Sequence, residues 1–464
     1  MTLDLSQPLA WTQAVAAADD GLALLSDLQG NILKGHGRHV TANIFLTFDD
    51  GQRASARTFM RALAEEVTCA LDQLMAAQIF KATGKKGTPF FSVLLSAGGY
   101  RALGFEDKMP LGEAFAAGMQ SRDLDDPSPA DWEADLRGAL HAMVLIGAND
   151  KDELSELESL FQQRVGGTGG AVRIVAIERG DALFNDDGNG IEHFGYVDGR
   201  SQPLALVEDL QHEDEVGGRD QWDPEIPLSQ LLVKCPAGTH AASFGSYFVF
   251  RKLEQNVREF KRREIDLAEL MPPKEKERAG ASVVGRFERG TPVTLSPSDL
   301  PLVTQGSTKL IPNNFNFAND QSGLKCPFAS HIRKTNPRDD TDDSKDHLMA
   351  RRGIPYGKRT DRIEDTNLDA KPTGGVGLLF MAYQSSLEDQ FEFTQILWAN
   401  NARFRHAGTG IDPIIGQGGQ LAAQRYPKEY GASLTEPFDF SGFVTMKGGE
   451  YFFAPSISGL KQLA

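Results

Sequence analysis

NIFLTFDDGQRASARTFMRALAEEVTCALDQLMAAQI, residues 43–79, begins as a strand and continues as a helix. Asn43–Phe48 is β-rich. Phe59, Leu63, Val67, Leu71 and Leu74 then put one apolar face along Ala54–Ile79. SYFVFRKLEQNVREFKRREIDLAEL, residues 246–270, restarts the pattern. A strand over Ser246–Phe250 leads into a helix over Arg251–Leu270, with Leu253, Val257 and Phe260 on one face. Further elements follow each start. In the first half these are strands Phe90–Leu95 and Ala139–Ile146, a helix over Lys151–Arg164, and strand Val172–Ile177. Leu154, Leu157, Leu160 and Phe161 stripe that helix, and Asp150 with Glu153 has capping-box spacing. In the second half they are strand Val376–Tyr383, a helix over Glu388–Asn400, and a hairpin of Gly442–Met446 and Glu450–Phe453 turning at Lys447–Gly449. The repeated order predicts two α+β units, each an antiparallel sheet with helices on one face. They divide as 1–225 and 226–464, with the acidic Val207–Pro227 segment as linker.

Composition narrows the function classes. At 464 residues the chain is long for one domain of ~100–200 residues. Its 48 Lys+Arg against 64 Asp+Glu leave a net charge of −16, which argues against a nucleic-acid partner. Three cysteines, none in a CxxC pair, exclude a disulfide scaffold and a thiolate zinc cluster, and suit a reducing compartment. No stretch approaches the ~20 apolar residues of a membrane span. The opening MTLDLSQPLAWTQAVAAADDG lacks the basic region of a signal peptide, so the expectation is a cytoplasmic protein without a membrane partner.

Common catalytic motifs are missing, and the irregular stretch Met271–Thr373 is too long to be a passive loop. Three segments carry chemistry. FGYVDGRSQP, Phe194–Pro203, brackets Asp198 between Gly195 and Gly199, which permit tight turns and close approach to a bulky ligand. CPFASHIRKTNPR, Cys326–Arg338, sets His331 before Arg333, Lys334, Asn336 and Arg338. RRGIPYG, Arg351–Gly357, leads a basic pair into a turn. Taken singly they read as an Asp-Gly turn, a structural histidine and a solvated charged turn. Charge joins the last two. Between His331 and Arg362 nine Lys+Arg face six Asp+Glu, five of them in the run Asp339–Asp346. A histidine among arginines in an acidic chain suits an anionic, metal-bearing ligand. Haem fits, with imidazole on iron and guanidinium groups on propionates.

Together the three segments resemble the dye-decolorising peroxidase family. Gly195–Gly199 matches its GxxDG motif, His331 its proximal haem ligand, and Arg351 its distal arginine. LQGNILKGHGR (Leu28–Arg38), GLLFMAYQ (Gly377–Gln384) and SLEDQFEFTQ (Ser386–Gln395) extend the match along the chain in the family's order. The resemblance implies an α+β fold of two ferredoxin-like halves, with haem held mainly by the second, in the longer-loop, intracellular-type subgroup. It also implies one haem b per chain, hydrogen peroxide as oxidant, and an aromatic reductant. The sequence is compatible with a monomer and with a homodimer alike. Asp198 would then move the peroxide proton, and Arg351 would stabilise the charge that develops as the O–O bond breaks. Aspartate, with a reference pKa near ~3.9, suits an acidic optimum. Arg333, Asn336 or Arg338 would anchor the propionates. Glu388, with Asp389 as runner-up, would bond the free nitrogen of His331. Leu378 and Phe380 would line the distal pocket beside Gly199, or serve only as core.

Two other readings stand beside this one. A haem storage or transfer protein would need His331 but neither Asp198 nor Arg351. A hydrolase pairing Asp198 with His193 lacks a nucleophile motif.

Overall fold

The computed structural model describes residues 3–305, 308–341, 343–363, 365–418 and 424–463. In the first half, β1 (Val40–Phe48), β2 (Phe90–Leu95), β3 (Ala142–Ala148) and β4 (Val172–Asp181) lie antiparallel in the order β4-β1-β3-β2. Helices α1 (Arg53–Ala64) and α2 (Ala70–Thr83) follow β1, and α3 (Lys151–Gly166) joins β3 to β4. In the second half, β5 (Phe244–Gln255) pairs with both β8 (Gly377–Gln384) and β9 (Val444–Ala454). Two short strands, β6 (Ala350–Arg351) and β7 (Ile354–Tyr356), pair with the other edge of β8. Taking β6 and β7 as one interrupted strand, both halves have the 4-1-3-2 order of a βαββαβ chain. Each half is ferredoxin-like.

The halves meet at both sheet edges. Leu95 of β2 pairs with Phe453 of β9, and Gly180 of β4 pairs with Tyr356 of β7, so the ladder closes into a circuit. Strand alternation explains why these strands look apolar throughout. Ala42, Ile44, Leu46 and Phe48 of β1 pack with Phe59, Met60 and Leu63 of α1. Phe45 points the other way, 4.7 Å from the Phe250 ring and 6.1 Å from that of Phe452.

Several elements differ from the sequence expectation. The helix over Ala54–Ile79 is broken, because Thr68 leaves helical geometry to bond Phe91 O and accept from Gly30 N. The strand expected at Ala139–Ile146 spans Ala142–Ala148. β5 runs on through Arg251–Gln255, where strands pair on both sides, and Asn256 caps the following helix α4 (Val257–Ala268). Lys447–Gly449 is not a hairpin turn but a bulge within continuous β9, which pairs with β5 on either side of it. The Glu388–Asn400 helix takes the wider π form over Leu387–Glu392 and Thr394–Ala399. Val207–Pro227 is no free linker. It contains a helix over Val207–Val216, whose Glu208 accepts from Thr12 N at 2.8 Å and whose Asp209 pairs with Lys34. The Met271–Thr373 stretch holds α5 (Lys276–Val284) and α6 (His331–Thr335) as well as β6 and β7. Asp342 of its acidic run lies outside the described residues. Among the described residues, no helix is long and apolar enough to cross a membrane.

Candidate active site

α6 is short, and its helical spacing sorts its side chains. His331, Ile332 and Thr335, with Asn336 just beyond, line a cavity of about 280 Å³, whereas Arg333 and Lys334 are buried on the other side. His331 Nδ1 lies 2.9 Å from Asp412 Oδ2 and 3.2 Å from Oδ1. Asp412 is fully buried and also accepts from the amides of Ile414 (2.8 Å) and Ile415 (2.9 Å). Burial opposes charge on both partners. It is outweighed by their mutual attraction and hydrogen bonding, so the imidazole is held above its usual range and the carboxyl below.

Across the cavity, a tight loop presents Asp198. Gly195 (φ +100°) and Gly199 (φ +78°) adopt backbone conformations that side chains resist. Val197 bridges to Ile191, Asp198 N bonds Gly190 O at 3.1 Å, and the Asp198 carboxylate is exposed to the cavity. Arg351, on β6, donates from its side chain to Ser201 O at 3.2 Å and from its amide to Gln202 Oε1 at 2.9 Å. The loop that carries Asp198 therefore also fixes Arg351. Burial lowers the Arg351 pKa, against the pull of the Asp198 charge.

Two more guanidinium groups face the same space. Arg338 donates to Asn313 O at 2.8 Å, to Phe315 O and to Asn313 Oδ1, and Arg286 donates to that Oδ1 at 3.1 Å. Neither has a carboxylate within ion-pair distance among the described residues. Burial pushes Arg338 well below its usual range and Arg286 down to about 9. Asn336 Oδ1 is buried beside them without a hydrogen-bond partner.

The model of the family described as Dyp-type peroxidase, C-terminal, matches residues 224–405. The multifunctional dye peroxidase DyP2 of Amycolatopsis sp. is 43% identical over the whole of both chains. A dye-decolorizing peroxidase of Exidia glandulosa is 32% identical over 94% of this chain and 86% of its own. The chain belongs to the dye-decolorising peroxidase family. Among solved structures, Amycolatopsis DyP2 superposes with a TM-score of 0.90 at 41% identity, covering 99% of this chain and 100% of its own. A DyP-type peroxidase of Anabaena sp. gives 0.87 at 40% identity, covering 95% of each.

A dye-decolorising peroxidase is a haem-dependent enzyme, and this cavity fits haem. It offers one imidazole with Nδ1 taken by Asp412, which leaves Nε2 for a metal. It adds unpaired guanidinium groups for carboxylates and apolar walls such as Leu378, Phe380 and Ile415 for a flat ring.

The structure brings His331, Asp198, Gly199, Arg351, Asn336, Arg338, Leu378 and Phe380 to this one cavity. It does not bring Arg333, Glu388 or Asp389. The Arg333 guanidinium is spent on Asp340 (2.6 Å) and Asp320 (3.0 Å) between the rings of Phe317 and Phe328, with nothing left for a propionate. Glu388 is not the partner of His331; it accepts from Ala114 N at 2.8 Å in the first half, while Asp389 caps its own turn through Ser386. Sequence reasoning missed Asp412, whose only local signal is an Asp-Pro step in a glycine-rich loop, and Arg286, which had none. His193 bonds Tyr356 O at 2.8 Å and does not line the cavity, which removes the hydrolase pairing.

Proposed function

We propose that the chain holds one haem b through His331 Nε2 and uses Asp198 and Arg351 to turn over hydrogen peroxide, oxidising dyes, phenols and other aromatic reductants. The observation that carries this is the single cavity lined by a carboxylate-backed imidazole and, from other elements, by Asp198 and Arg351. Asp198 comes from the 1–225 half and the other two from 226–464, which supports one haem-binding unit built from both.

Haem, when bound, supplies the redox chemistry that couples peroxide reduction to oxidation of the aromatic substrate. The protein supplies the rest. Asp412 fixes the orientation of the His331 ring and, by accepting from Nδ1, strengthens donation from Nε2. Arg286 and Arg338, which line the cavity with no carboxylate within ion-pair distance among the described residues, would hold the propionates, and Asn336 would add a hydrogen bond only through its amide Nδ2. Asp198 takes a proton from one peroxide oxygen and returns it to the departing one. Arg351, which lines the same cavity, would stabilise the negative charge that gathers on that oxygen. Its tie to Ser201 keeps cation and carboxylate on one frame. Leu378 and Phe380 line the cavity, and beside a bound haem their bulk would admit peroxide while excluding a dye. The three free thiols suit a cytoplasmic setting.

His331→Ala is expected to lose the Soret band and all peroxidase activity, and a full Soret band in that variant would refute the ligand assignment. Asp198→Asn is expected to keep the band and lose about 10²–10⁴-fold in kcat/KM for peroxide. Dye oxidation should be faster at acid pH; a rate that climbs from about pH 5 to about pH 8 would count against an aspartate base.

A further inference from the structure

His331 and Asp412 come from distant parts of the chain, and their hydrogen bond depends on how the Asp412 loop is held. Lys334 lies three residues along the same helix as His331, with a fully buried side chain. Its ammonium donates to Asn401 O (2.8 Å), Phe404 O (3.1 Å) and Gly410 O (2.7 Å). Each of its three protons therefore has an acceptor, and all three acceptors belong to the loop that delivers Asp412. That loop is closed at its base by Gly410 N to Ala402 O (3.0 Å) and Asp412 N to Ala399 O (2.8 Å). No carboxylate of the described residues lies within ion-pair distance of Lys334. Burial draws its pKa down to about 8, opposed by the charge of Asp412. A cation kept dry on backbone carbonyls and the Phe404 ring face, 5.8 Å away, without a counter-charge is a costly device if packing is its only purpose.

We propose that Lys334 is the positioning residue of the proximal pair: by clasping the 401–410 loop to the helix that carries His331, it sets the His331–Asp412 hydrogen bond. This rests on the reading of His331 as the iron ligand. The bond matters because a carboxylate accepting from Nδ1 makes the imidazole a stronger donor, which favours the ferric over the ferrous state. Without the clasp, Asp412 drifts from Nδ1, donation weakens and the midpoint potential rises. A second effect has the opposite sign. Removing a positive charge near the iron site, with the loop unmoved, would lower the potential. The sign of the change therefore distinguishes positioning from plain electrostatics.

The test uses haem-loaded wild type, D412N, K334M and K334Q, reading the Fe(III)/Fe(II) midpoint potential and the ferrous iron–imidazole stretch by resonance Raman. D412N is expected to raise the potential and lower the stretching frequency. Both Lys334 variants are expected to move both readouts the same way, by less. If D412N shifts and folded K334M or K334Q stays put, or its potential falls, the clasp is refuted while the proximal pair stands. If D412N shifts nothing, the pair itself is not coupled to iron and the proposal falls with it. Should neither Lys334 variant take up haem, native-state hydrogen exchange on the wild type decides. The amides of Ile414 and Ile415, bonded to Asp412, should open in one event with those of Lys334 and Asn336. Opening of the loop without the helix would overturn the clasp.

Discussion

Asn313 shows how much one neutral side chain can set. It is 5% exposed, and its Oδ1 accepts from Ser201 Oγ (2.6 Å), Arg338 (2.9 Å) and Arg286 (3.1 Å). A neutral acceptor satisfies the guanidinium groups without cancelling their charge, so both remain available to an anionic ligand. Asn313→Ala leaves buried charged donors short of a partner, and the apoprotein should lose about 3 kcal/mol in urea denaturation. Asn313→Asp should do the reverse. It gives the arginines an internal anion, so the apoprotein gains stability while haem affinity drops by roughly tenfold or more, since a charge-assisted hydrogen bond is worth ~1.5–3 kcal/mol. Haem titration of the Asp variant checks this, and unchanged affinity would sink the anion-cradle role of Arg286 and Arg338. At this scale the sequence was readable wherever chemistry and motif coincide. His331, Asp198 and Arg351 each stand in a short run of unusual residues. Asp412 and Arg286 act through contacts that only the folded chain makes, and Arg333, which looks like a ligand residue, is neutralised by two aspartates brought in from elsewhere.

The loop from Gly190 to Gly199 is the element that presents Asp198, and its anchors titrate in opposite senses. Glu192 accepts from Phe194 N (2.8 Å), Tyr196 N (3.0 Å) and Gln255 Nε2 (2.5 Å), yet burial, outweighing these bonds, pushes it up to about 7 from an ordinary 4.5. His193 is driven down to about 4 from 6.5, chiefly by burial, while its Nε2 stays on Tyr356 O. The signs follow from proton counts in the two states. Between about pH 4.5 and 7 the folded chain binds the Glu192 proton and the unfolded chain does not, so this contribution to stability fades as pH rises. Between 6.5 and about 4 the unfolded chain binds the His193 proton and the folded chain does not, so stability is lost as pH falls. The His193 contribution amounts to roughly 3 kcal/mol. Glu192→Gln and His193→Asn should therefore tilt the stability–pH profile in opposite directions relative to wild type. Thermal melts across this range would read the tilt, and parallel profiles for the two variants would contradict it. Element boundaries were the least legible feature in the sequence. Alternation and helical stripes located the long strands β1–β5, β8 and β9 and the helices that follow several of them, but not the short β6 and β7 or the helices over 207–216, 276–284 and 331–335. Whether Arg251–Gln255 continues a strand depends on neighbours that pair on both sides of it.

Two α+β halves were legible as a repeated strand–helix order, and the family resemblance implied that they are ferredoxin-like, but their closure into one circuit was not legible. Single residue pairs, Leu95–Phe453 and Gly180–Tyr356, leave no trace in a hydrophobic pattern. The same holds for the LQGNILKGHGR segment, which resembled the family without an evident task. Its task is visible at Arg352. That guanidinium donates to Asn31 O (2.7 Å), Ile32 O (2.9 Å) and the carbonyl of Arg351 (2.8 Å), while Arg352 N bonds Met381 O at 2.6 Å. Carbonyls rather than a carboxylate receive this cation, and burial draws it down to about 10. It buckles the segment around Asn31 to the two-residue strand that carries Arg351, so an element more than three hundred residues away in sequence holds that wall of the cavity. Arg352→Gln cannot span all three acceptors. Leaving buried carbonyls unpaired should lower stability by about 3 kcal/mol. The loss should also be local. Proteolysis at Lys34 and Arg38 should accelerate, and kcat/KM for peroxide should fall because Arg351 loses a fixed backbone, whereas KM for the dye should hold if dyes react outside the cavity as proposed. If the segment becomes labile while peroxide turnover is unaffected, the buckle serves stability alone and Ser201 with Gln202 suffices to position Arg351.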